Sequence, residues 1–106
     1  MSKPAFAIRY DPQVAGQIRI IGRRWFGLIR ETIEQQLTHE PETETRNRKP
    51  LRKPSVLAPA WELRFGPDNS FRVFYRVVPE KQEVHVLAVG AKRGNRLMVG
   101  GEEFEL

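Results

Sequence analysis

The sequence predicts an α+β fold, a helix pair packed on a small antiparallel β-sheet, with a β-meander in the C-terminal half. Three observations lead there. Residues 61–90, WELRFGPDNSFRVFYRVVPEKQEVHVLAVG, hold three runs rich in β-branched and aromatic residues, divided by two turn signals. Residues 14–37 carry apolar side chains at helical spacing. The chain is 106 residues long with 40% hydrophobic and 29% charged residues, which is the size and balance of one folded domain over residues 1–106.

At the start, Phe6, Ile8 and Tyr10 alternate with Ala7 and Arg9, so a short first strand is expected over residues 5–10. Asp11 then Pro12 mark a helix start: a carboxylate can accept from the orphan N–H groups, and proline is tolerated where none is needed. Val14, Ile18 and Ile21 form one apolar stripe. Gly22 can end that helix, and Trp25, Leu28, Ile29, Ile33 and Leu37 form a second stripe, with Arg30, Glu31, Glu34 and Gln35 turned outward. Two helices on the greasy face of the sheet, or one bent helix, satisfy this pattern. His39 follows the second stripe, where it complements the helix dipole.

Over residues 38–59 the periodicity stops, and a loop is expected, with one short strand or helical turn near Leu51. Its basic part, residues 45–59, gathers Arg46, Arg48, Lys49, Arg52 and Lys53. Such a run is either a solvated loop or a grip on a phosphate backbone.

In the meander, residues 60–90, turns fall at residues 66–69 and 79–82. Side chains alternate across a strand. Trp61, Leu63 and Phe65 therefore oppose Glu62 and Arg64, and Phe71, Val73, Tyr75 and Val77 oppose Arg72, Phe74 and Arg76. Tyr75 belongs to the core row. Phe74, between two arginines, either stacks a base or is covered by the loop or the terminal hairpin. In the third strand His85, Leu87 and Val89 form one row and Val84, Val86 and Ala88 the other. Both rows are apolar, so parity leaves His85 open: an acid or base near neutral pH if it shares the face of Arg72, a structural histidine otherwise. Lys92, Arg93 and Arg96 follow, with a turn at Gly94 and Asn95 and a closing hairpin over residues 97–106.

The net charge of +5 is unevenly spread. Residues 1–44 hold six basic and six acidic groups, whereas residues 45–101 hold twelve basic groups against Glu62, Asp68, Glu80 and Glu83. Either a polyanionic partner or solubility accounts for this excess. There is no cysteine, which excludes disulfides and thiolate metal sites. The opening MSKPAFAIRYDP has too short an apolar run for a signal peptide, and no segment approaches membrane-spanning length, so a cytoplasmic protein with no membrane contact is expected. No Walker pattern, HExxH or dinucleotide loop is present, and no metal or cofactor is expected.

The order strand, helices, charged loop and meander, with the phrases WELRFG, FRVFYRV and VHVLAVGAKRG, resembles the RelE/ParE superfamily of toxins from bacterial type II toxin-antitoxin systems. The resemblance covers residues 18–96 and rests on pattern and order. It implies a small toxin silenced by a cognate antitoxin. RelE-like members cut mRNA on the ribosome without metal, while ParE-like members act on DNA gyrase and lack the nuclease residues. In the RelE-like nucleases two strand lysines match Glu62 and Arg64 here, an arginine opening the next strand matches Arg72, and a basic residue after the VG matches Lys92 or Arg93. Their later tyrosine falls near Met98 or Val99 and has no counterpart.

Metal-free RNA cleavage needs an aligned 2′-hydroxyl, a proton acceptor, charge stabilisation at phosphorus and a donor for the leaving oxygen. Guanidiniums suit the charge but stay protonated. The expected catalytic set is Arg64, Arg72, Lys92 and Arg93, with His85 as a candidate acid or base. The expected RNA contacts are Arg46, Arg48, Lys49, Arg52, Lys53, Phe74, Arg76 and Arg96. Ribosome, mRNA and antitoxin are the expected partners. The alternative is a non-nuclease, either a ParE-like gyrase inhibitor or a basic nucleic-acid-binding module.

Overall fold

The computed structural model describes residues 4–51 and 60–104. In chain order the elements are β1 (Ala7–Tyr10), α1 (Val14–Ile21), α2 (Phe26–Leu37), β2 (Arg48–Pro50), β3 (Trp61–Phe65), β4 (Phe71–Val78), β5 (Glu83–Arg93), β6 (Arg96–Val99) and β7 (Glu102–Phe104). The sheet runs β2-β3-β4-β5-β6-β7 with antiparallel neighbours, and β1 lies parallel to β5, Ala7 opposite Glu83 and Tyr10 opposite Val86. Two helices packed on an antiparallel sheet is the expected α+β class.

The helices are two rather than one bent rod. Gly22, at φ 144°, sits where side-chain-bearing residues are strained, and a 3-10 turn at Arg23–Trp25 separates α1 from α2. The Asp11 carboxylate accepts from the Gln13 backbone N–H at 3.1 Å, so it organises the turn just ahead of α1. Ile29, Ile33 and Leu37 form one stripe of α2 with no exposed surface, packed with Val14 and Ile18 of α1 on Leu63, Val73 and Tyr75 of the sheet. Leu28, expected in that stripe, is 41% exposed: it neighbours Ile29, about 100° around the helix, and turns away from the sheet.

β5 explains why its two rows both read as apolar. Phe74 pairs with Ala88 but Tyr75 pairs with Val86, so Leu87 is an extra residue, a β-bulge. The bulge switches parity. Val84 and Val86 face the helices before it and Val89 after it, while His85 and Ala88 share the opposite face. The expected grouping of Val89 with His85 is thereby corrected.

β1 and β6 use the same edge of β5 at different heights, β1 along Glu83 to Val86 and β6 along Gly90 to Arg93. Two glutamines, Gln13 just ahead of α1 and Gln17 within it, fill the gap between them. Gln13 Nε2 donates to the Leu87 carbonyl at 3.0 Å, and Gln17 Oε1 accepts from the Val89 N–H at 2.8 Å. Residues four apart share a helix face, which lets one helix serve both strand groups.

A second, smaller core lies on the sheet face away from the helices. Phe74, Ala88, Leu97 and Val99 are buried there, with Leu51 and Phe104 packed against them. The hairpin of β6 and β7 supplies most of this cover. The short strand expected near Leu51 is β2.

Candidate nucleic-acid interface

Strand register decides which cations meet. Arg64 of β3 lies directly opposite Arg72 of β4, which lies opposite Gly90 of β5. Partners across a ladder share a face, and like charges placed so are destabilising. The sequence supplies the remedy two residues upstream of Arg64. Glu62 is 3% exposed; its Oε1 accepts from Arg64 Nε and lies 3.9 Å from Arg72 Nε. On β2, Lys49 stands opposite Glu62 and is exposed. Lys92 follows Gly90 by two residues, so it belongs to the same face; its backbone N–H donates to the Ser70 carbonyl at 2.7 Å and its side chain is exposed.

Arg64 and Arg72 differ in what they can do. The Arg64 side chain is 44% exposed and bonds to Glu62 through Nε. Arg72 is 5% exposed, and its Nη1 donates to the carbonyls of Asn69 and Phe71, the latter at 3.2 Å. Burial, and then the charge of Arg64, lower its pKa from the usual guanidinium value, while Glu62 opposes the shift. Arg72 is thus spent on internal bonds. The expectation that it reaches a phosphate directly is corrected: it is the buried member of an Arg64–Glu62–Arg72 chain.

Other expected contacts are also relocated. Phe74 has no exposed surface, because Leu97 and Val99 cover it from the terminal hairpin, so no base can stack on it. Arg48 is 7% exposed; its Nη1 donates to the carbonyls of Gln36 at 2.6 Å and Glu40 at 2.5 Å, and its Nη2 lies 3.9 Å from the Glu40 carboxylate. It ties the loop to the C-terminal end of α2, where a cation complements the dipole, so the expectation of an exposed contact residue is corrected to a buried structural one. Arg93 and Arg96 pair with each other across β5 and β6 and line a groove with Ile20 and Ile21 of α1, on the helix side of the sheet. Arg46 is exposed. Arg52 and Lys53 lie outside the described residues.

Arg76 and His85 form a separate end of the face. They lie opposite each other, and Arg76 is four residues from Arg72, about 13 Å along an extended strand. His85 Nε2 lies 3.0 Å from Glu83 Oε1, and Arg9 Nε donates to Glu83 Oε2 at 2.7 Å. These bonds, His85 first, hold the Glu83 carboxyl down to about 2. His85 shares the face of Arg72 but not its neighbourhood. Tyr75 is in the core as expected, its hydroxyl donating to the Pro41 carbonyl at 2.7 Å and its pKa raised by burial.

Glu62 is the residue that sequence reasoning undervalued. Two arginines opposed across a hairpin call for a same-face acid, and Glu62 alone in β3 and β4 provides one. The arrangement can bind an anion through Arg64, Lys49 and Lys92, with a buried carboxylate holding the guanidinium geometry.

No protein-family model and no curated protein matches the sequence. Among solved structures, the chain is similar to one chain of the toxin-antitoxin complex RelBE2 from Mycobacterium tuberculosis, at 25% identity and a TM-score of 0.68, over 84% of this chain and 93% of that one.

Proposed function

We propose that this protein is the toxin of a type II toxin-antitoxin system of the RelE/ParE kind, held inactive by an antitoxin, and that it cleaves ribosome-bound mRNA without metal. The likeness to a chain of the RelBE2 complex supports the toxin and antitoxin parts. The observation that carries the RNA part is the exposed set Lys49, Arg64 and Lys92 on one sheet face beside the buried Glu62–Arg72 pair. Arg64 and Lys92 take the phosphate oxygens and stabilise the charge that develops at phosphorus as the 2′-oxygen attacks and the 5′-oxygen leaves; the 2′-hydroxyl proton passes to water or a ribosomal group, and the departing 5′-oxygen takes a proton from the same sources. Arg72 acts through Glu62 as a positioning residue for Arg64. Purified protein added to a translating extract produces cut message, and Arg64→Ala lowers cleavage at least a hundredfold while the far-UV circular dichroism is unchanged. Intact message with the unsubstituted protein contradicts this reading.

A second reading, a ParE-like inhibitor that does not cut RNA, is favoured by one feature: Glu62 neutralises charge where the RelE-like nucleases carry a lysine. It predicts growth arrest with intact message and gyrase-linked DNA breaks.

A further inference from the structure

The end of the sheet face away from Arg64 gathers a second group of charges. Arg9 of β1 and Arg76 of β4 both lie opposite His85 of β5, so three basic side chains stand in one row across three strands. Like charges placed directly opposite repel. Their counter-ion is Glu83, two residues before His85 and therefore on its side of the sheet; Arg9 Nε donates to its Oε2 at 2.7 Å, and its Oε1 lies 3.0 Å from His85 Nε2. The bond to His85, and then that to Arg9, hold the Glu83 carboxyl down to about 2, so it is ionised in neutral and mildly acidic water. A carboxylate only accepts, which makes Nε2 the donor and leaves Nδ1 as the ring nitrogen whose proton comes and goes. Arg76 is exposed and makes no ion pair among the described residues, and the His85 side chain is 38% exposed. Ala7, Phe74, Val78 and Ala88, which adjoin the row on this face, carry no charge. Phe74 and Ala88, buried under Leu97 and Val99, also stand between this row and Arg72, so it is not a continuation of the Arg64 grip.

We infer that Arg76 and the imidazolium of His85 form a binding site for a tetrahedral oxyanion, a phosphate group, which fills as pH falls through the range in which histidine titrates. The Arg76 guanidinium and the Nδ1–H of His85 donate to the oxyanion, while Glu83 fixes the ring from its other nitrogen and Arg9 adds to the positive field. With His85 neutral, Nδ1 presents a lone pair that repels the oxyanion, and two guanidiniums face one carboxylate; with His85 protonated, three cations face it and an anion relieves their repulsion. The site stands on this row of side chains and makes no use of the toxin reading.

The test is an NMR titration of the full chain with sulfate, a tetrahedral anion whose charge is constant over this pH range, with ionic strength held by chloride and the backbone amides of residues 76 and 85 as reporters. Sulfate shifts both signals saturably and binds at least tenfold more tightly at about pH 5.5 than at about pH 8. Linkage requires the reciprocal effect, so saturating sulfate raises the midpoint of the His85 ring titration by about one unit for a tenfold difference. Arg76→Gln weakens binding at about pH 5.5 at least tenfold, His85→Ala removes the pH dependence, and Arg30→Gln on α2 binds as the unsubstituted protein does. Equal affinity at both pH values, unaltered binding in Arg76→Gln, or no saturable shift overturns the inference. Adenosine 5′-monophosphate and inorganic phosphate are then set to displace sulfate, with adenosine as the control that lacks the group. Displacement by the nucleotide alone makes the ligand a nucleotide phosphate, displacement by inorganic phosphate makes it the free ion, and displacement by neither overturns the inference.

Discussion

Glu62 is the point at which local chemistry and the candidate function meet. A carboxylate 3% exposed, with one oxygen shared by two guanidiniums, is tolerated because both neighbours are cationic. Replacing it removes the counter-ion and leaves Arg72 charged and buried. Glu62→Gln is therefore expected to destabilise the fold by about 3 kcal/mol, the scale for breaking a buried ion pair, read from the denaturant midpoint. The double change Glu62→Gln with Arg72→Met removes the stranded charge as well and recovers most of that loss. Alternation puts Arg64 and Arg72 on opposed strands, while Lys92 or Arg93 is offered only by the family resemblance; register brings Arg64, Arg72 and Lys92 to one face. What alternation does not carry is burial: it cannot distinguish an arginine that faces water from one that bonds to the carbonyls of its own turn. The same gap hid the burial of Arg48, whose role depends on α2 lying beneath it.

At the scale of elements, local signals worked wherever they were uninterrupted. Two helices, their split at Gly22, the meander and the closing hairpin follow from spacing and turn residues in the chain itself. The bulge at Leu87 has no such signature, because an inserted residue only makes both rows of β5 look apolar. Parallel pairing of β1 and the bonds of Gln13 and Gln17 to β5 join residues more than seventy positions apart, and no window along the chain spans them. Gly90 is the element-scale test. A Cβ there would meet the Met98 carbonyl oxygen at 2.4 Å and Val99 Cγ2 at 2.6 Å, so β6 must move. In Gly90→Ala, hydrogen exchange of β6 amides should quicken at least tenfold with little change in α2, and Phe74 should lose its cover. Unaltered protection of β6 would show that the hairpin can adapt.

Taken as a whole, the molecule divides its cations between two faces of one sheet. On one side Lys49, Arg64 and Lys92 surround a buried ion pair; on the other Arg93 and Arg96 edge an apolar groove. The charge excess in residues 45–101 was visible at once, but its division requires the strand register, which sends neighbours such as Lys92 and Arg93 in opposite directions. The central claim is that the first group binds a phosphate backbone. Its most direct test is the salt dependence of binding to a single-stranded 2′-O-methyl RNA that cannot be cut. Three phosphate contacts predict a slope of log K against log salt concentration of about −2, and alanine at Lys49, Arg64 or Lys92 should each reduce its magnitude by about 0.7. A slope left unchanged by all three substitutions together, and reduced instead by those at Arg93 and Arg96, would contradict it.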